Sequence, residues 1–110
     1  MLRLVDLNPV FVGAGGPGIS DADGSPATPR QGVGLMFDCP CGKCEDNPCL
    51  IMFRNPLDGG PCFVAGQTPT WQREGDTFET LSTQPSILRN PAKGGCGWHG
   101  YITRGEILTC

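Results

Sequence analysis

The chain has 110 residues, a formal charge of −3 and a pI near 4.9, with eight Lys and Arg set singly among eleven Asp and Glu; no basic cluster exists to neutralise phosphates, so nucleic-acid binding is excluded. Seventeen Gly and eleven Pro exclude long helices, and an apolar content of 38% supplies few large core side chains. The expectation is one small, turn-rich β domain spanning 1–110 and held by a staple.

The N-terminal stretch from Met1 to Asp6 is broken by charge and then by Pro9, so it is not read as a signal peptide or a membrane span. The cysteines are then those of a reducing compartment. Seven of them, an odd number, favour metal binding or burial over a disulfide framework. Leu2, Leu4 and Leu7 alternate with charged residues and predict a first strand, followed by Val10–Val12. Residues 13–32 are almost free of large apolar side chains and predict a Gly/Pro-rich loop or extended arm. This segment lacks the Lys-Ser/Thr of a phosphate-binding loop.

Val33–Asp38 and Leu50–Arg54 predict a hairpin whose connection carries Cys39, Cys41 and Cys44. Short strands are expected at Cys62–Val64, Thr70–Arg73 and Thr77–Thr83. Tyr101–Thr103 and Glu106–Leu108 flank a two-residue Arg104-Gly105 turn and predict a tight C-terminal hairpin, with Gly105 supplying the positive φ that such turns need; Arg104 is a weaker choice there than Asn or Asp. Trp98 is expected in the core. Glu74, Asp76 and Glu79 read as a solvated strand edge, since no partner nucleophile accompanies them.

The chemistry concentrates in two short segments. Cys39-Pro-Cys41-Gly-Lys-Cys44 places three thiols within six residues, and Cys96-Gly-Trp-His99 places a thiol and an imidazole three apart. Two such turns can aim four side chains at one tetrahedral zinc ion. The expected ligands are Cys39, Cys41, Cys96 and His99. Cys44 competes with either of the first two, because Cys41-Gly-Lys-Cys44 is a knuckle spacing by itself. The remaining thiols, Cys49, Cys62 and Cys110, are read as buried or free.

Gly95-Cys-Gly-Trp-His-Gly100 resembles the second box of Rieske proteins, but an iron–sulfur centre of that kind needs two histidines and the chain has one. Leu4–Pro9, Gly34–Gly42, Phe53–Gly60, Gly75–Thr80, Pro85–Ile87 and Cys96–Gly100 together resemble a family of short proteins of phages, prophages and bacteria. Some of its members carry the label ammonia monooxygenase, for which these residues supply no chemistry. The resemblance implies a phage or prophage origin and a Cys/His metal site.

The fold expected is therefore all-β, a metal-stapled zinc-ribbon, rubredoxin-like or Rieske-like domain with a C-terminal hairpin. The function expected is that of a non-enzymatic zinc-binding structural protein. It would be phage-encoded, located in the virion or host cytoplasm, and partnered with capsid or tail subunits as a decoration or tail-associated component. The alternative is a small redox protein with iron on the same Cys/His turns. A zinc hydrolase would need an open coordination position and a base, which four protein ligands do not leave.

Overall fold

The computed structural model describes residues 2–14, 30–44, 47–64 and 69–110. Most of the expected arm, residues 15–29, lies outside the described residues, while its flanks at Gly13–Ala14 and Arg30–Gly32 belong to strands. Eight strands form three antiparallel sheets, with no α-helix among the described residues, so the all-β expectation holds.

The first sheet joins β1 (Val10–Ala14), β2 (Arg30–Phe37) and β3 (Cys49–Met52) in that order. Val33, Leu35 and Phe37 alternate along β2 and turn inward; Leu35 faces Phe11 on one side and Ile51 on the other, and Phe37 faces Cys49. That register brings the β2–β3 connection, with its three cysteines, to one end of the sheet. The second sheet pairs β4 (Gln72–Glu74) with β5 (Ser82–Gln84). The third runs β6 (Ile87–Leu88), β7 (His99–Thr103) and β8 (Glu106–Thr109). One apolar core joins all three through Leu35, Phe37, Phe53, Leu81, Trp98 and Ile102.

The β7–β8 turn has positive φ at both Arg104 (46°) and Gly105 (76°), the primed geometry whose twist matches the flanking strands. A Cβ on Gly105 would stand 2.6 Å from the Phe78 carbonyl oxygen, so space as well as φ demands glycine there.

Three strand expectations are corrected. Leu4–Leu7 is a 3-10 turn: the Asp6 carboxylate accepts the Arg3 N–H at 3.1 Å and the Asp6 N–H closes back on the Arg3 carbonyl at 3.0 Å, which buries Leu4 and Leu7 at the three-residue repeat of that helix. Cys62–Val64 forms no strand and leaves Phe63 exposed. Within Thr77–Thr83, the Thr77 and Thr80 hydroxyls bond each other at 2.8 Å and hold a turn, so β5 starts only at Ser82.

Candidate functional site

Two connections build the site. After β2 the chain turns at Cys39-Pro-Cys41-Gly42, closed by the Gly42 N–H on the Cys39 carbonyl at 3.1 Å. Gly42 takes φ +74°, and the next residues bring Cys44 back beside Cys41. Between β6 and β7, Asn90 caps a 3-10 turn at Pro91–Lys93, and Gly94 and Gly97 take left-handed φ. The Gly97 N–H bonds the Arg89 carbonyl at 2.7 Å, which holds Cys96 at the tip facing the first turn.

The sulfur atoms of Cys39, Cys41, Cys44 and Cys96 all lie within 4.8 Å of one another. Cys39 Sγ is 3.5 Å from Cys96 Sγ, and Cys41 Sγ is 3.5 Å from Cys44 Sγ. The group can hold a metal ion. Backbone donors already favour the anionic form of two members: the Lys43 N–H, 3.3 Å from its sulfur, lowers Cys41 to about 6, and the Trp98 N–H lowers Cys96. Burial pushes Cys39 up, and the hydrogen bond with Cys41 pushes Cys44 up. Four sulfurs that differ this way share protons when metal-free and lose them together to a cation.

Cys49 packs behind them, its thiol raised to about 11 by burial, and does not join the group. The guanidinium of Arg89 stands against this cluster, bonding the Pro48 and Asn47 carbonyls at 2.9 and 2.7 Å. Burial works against its charge, and the thiols of Cys49, Cys44 and Cys39 outweigh that cost. A divalent ion on four thiolates carries a net charge of −2, which a neighbouring guanidinium offsets; the donor set and its surroundings fit such an ion.

The expected ligand set is thus altered. Cys39, Cys41 and Cys96 come together with Cys44, and His99 lies outside the group. As the first residue of β7, His99 shares the exposed face of that strand with Tyr101 and Thr103, while Gly100 and Ile102 face inward. Its Nε2 is 2.8 Å from the Ser86 hydroxyl. Ser86 lies in the link between β5 and β6, and its carbonyl accepts the Trp71 indole N–H at 3.3 Å. The sequence singles out Ser86 only as the middle of Pro85–Ile87, one of the stretches of family resemblance, with no chemistry attached to it.

Pro85 and Ser86 line two clefts at once. One, of about 830 Å³, runs between the β4–β5 sheet and the exposed face of β7 toward Arg54, Glu74 and Arg104. The other, about 480 Å³, extends past Trp71 and Leu88 to Arg89. Ser86 therefore lies at the boundary between the two clefts. No helix among the described residues is long and apolar enough to cross a membrane.

A family model described as bacterial ubiquitination-like system serine protease (BubE) matches residues 21–110. Comparison with curated proteins and with solved structures gives no match. The family match overturns the expectation of a non-enzymatic structural protein of the virion, and it lends no support to the alternative of an iron redox protein. Spacing alone pairs His99 with Cys96, whereas the fold sets its imidazole against the Ser86 hydroxyl and outside the sulfur cluster.

Proposed function

The chain belongs to the BubE family of bacterial ubiquitination-like system serine proteases, and from that premise we propose that it is a serine peptidase of such a system, with Ser86 as nucleophile, His99 as general base, and one structural zinc ion on Cys39, Cys41, Cys44 and Cys96. The observation that carries this reading is the 2.8 Å contact between Ser86 Oγ and His99 Nε2.

In the tautomer with the proton on Nδ1, His99 Nε2 accepts the Ser86 hydroxyl proton as Oγ attacks the scissile carbonyl. The imidazolium then gives that proton to the leaving amine as the C–N bond breaks, leaving an acyl ester on Ser86. Water, deprotonated by His99, hydrolyses the ester and restores the hydroxyl. Among the described residues no carboxylate bonds His99, so the pair works as a dyad whose base is fixed by its place at the head of β7. Zinc on four thiolates has no open position for substrate and acts by holding the loop that leads into His99.

A fluorophosphonate probe tests the reading, since it phosphonylates only an activated serine. Labelling of the wild-type protein at Ser86, with none in Ser86→Ala or His99→Ala, is the expected result. Equal labelling of wild type and Ser86→Ala would exclude Ser86 as nucleophile. Once a substrate is in hand, Ser86→Ala should lower kcat by about 10⁴-fold or more.

A further inference from the structure

Two strands close their sheets as edges: among the described residues β3 pairs only with β2, and β6 only with β7. They face each other across the smaller cleft, which residues 49–51 and 87–90 line from its two sides. At one end the Trp71 N–H bonds the Met52 carbonyl at 2.9 Å while its indole reaches the Ser86 carbonyl at 3.3 Å. At the other end the Arg89 guanidinium holds the Pro48 and Asn47 carbonyls. The two strands therefore run in opposite directions. Long side chains bridge them in place of a ladder, so they stand further apart than one strand spacing of about 4.8 Å.

Ladder alternation fixes which backbone groups look into this gap. In an antiparallel pair every second residue bonds across, and the residues between turn their N–H and C=O the other way. On β6 the Arg89 N–H bonds the Trp98 carbonyl at 2.8 Å and Ile87 lies opposite Gly100, so Leu88 turns both groups away from β7 and into the cleft. On β3 the Phe53 N–H bonds the Val33 carbonyl at 2.9 Å, which gives Ile51 and Cys49 to β2 and leaves Leu50 facing the cleft in the same way. Among the described residues nothing bonds these groups of Leu50 and Leu88. Their side chains are 55% and 53% exposed, and with Trp71 they give the cleft apolar walls.

We propose that this cleft takes the substrate as an extended strand added to the β6 edge, bonded to the N–H and C=O of Leu88, with the scissile bond about two residues away. This rests on the peptidase reading of Ser86 and His99. The offset follows from the chain itself, since Leu88 is two residues beyond Ser86. The Ser86 carbonyl is already taken by the Trp71 indole, so strand pairing ends there and the added chain leaves the edge beside the hydroxyl. A helix keeps its N–H groups within itself and offers this edge nothing. The substrate class is therefore an extended segment whose apolar side chains meet Leu50, Leu88 and Trp71.

The probe is a fluorescein-labelled, amidated decapeptide of alternating Val and Thr, titrated by anisotropy against zinc-loaded Ser86→Ala protein. Leu88→Pro in that background deletes an N–H that β7 does not use, at an edge position where proline is tolerated. It should keep its zinc and sheet circular dichroism and bind the peptide at least about tenfold more weakly. Leu88→Ala, which retains the N–H, should stay within about threefold of its parent. Amide hydrogen exchange by NMR reads the same bond without touching Leu88: saturating peptide should slow the Leu88 amide at least about tenfold and leave the Ile87 amide, already in the ladder, unchanged. A Leu88 amide that exchanges equally fast with and without peptide, full affinity in folded Leu88→Pro, or no binding up to about 1 mM peptide would each overturn the docking edge. Binding needs no acyl transfer, so these results stand apart from fluorophosphonate labelling, which tests the dyad.

Discussion

Cys96 and His99 stand three residues apart and face different partners: one turns back to the sulfur cluster, the other meets Ser86. Their spacing was legible in the sequence, their divergence was not. A Cys-x-x-His pattern reads as a knuckle because both types bind zinc, and only the start of β7 at His99 shows that the imidazole leaves on the exposed strand face. The choice between His99 and Cys44 is decided by metal content. His99→Ala should retain one zinc per chain by elemental analysis and lose probe labelling. Cys44→Ser should lose the zinc. Loss of zinc in His99→Ala with retention in Cys44→Ser would restore the histidine as ligand and remove it as base.

At the scale of elements, legibility follows locality. The β7–β8 hairpin and the β2–β3 pairing could be read because alternation and turn residues specify them within a few positions. Ser86 could not, because its partner is fixed by the pairing of β6 with β7, a non-local fact carrying no motif. The β7–β8 ladder is tight at Gly100, where a Cβ would meet the Leu108 carbonyl oxygen at 2.5 Å and the Trp98 ring at 2.5 Å. Gly100→Ala should therefore cost about 1–3 kcal/mol in chemical denaturation, by displacing Trp98 or the β8 backbone. A change under about 0.5 kcal/mol would mean that the ladder relaxes freely there.

A second contact between elements gives a pH signature. Arg30 at the start of β2 forms a two-pronged pair with Asp58, at 2.8 and 2.9 Å. This holds Asp58 at about 2, below its ordinary value of 3.8; the hydrogen bond from Arg30 is the main cause and the Gly60 N–H adds to it. A carboxylate depressed on folding stabilises the native state fully above its unfolded value, and that contribution is lost as pH falls from about 4 to about 2. Asp58→Asn should flatten this part of the acid limb in a Tm-versus-pH series. An unchanged slope between those pH values would show that the pair contributes nothing in solution.

For the whole molecule, the four-cysteine cluster is placed where a metal ion would hold what the apolar residues alone hold weakly. The core is small and distributed over three short sheets, and Cys39 and Cys96, 57 positions apart, join the end of the first sheet to the connection of the third. A structural zinc bound there, as proposed, would close that loop and contribute on the order of 10 kcal/mol gross, comparable with the entire stability of a domain this size. Since Gly97, Trp98 and His99 follow Cys96 directly, an ion bound by the four sulfurs would also hold in place His99, the proposed general base. Titration with a chelator should therefore remove fluorophosphonate labelling of Ser86 in proportion to zinc lost, accompanied by collapse of the β-sheet circular dichroism, and readded zinc should restore both. Tm should rise with free zinc as expected for a ligand bound only by the native state. A metal-free protein that kept its sheets and still labelled Ser86 would assign fold and dyad to the apolar core alone.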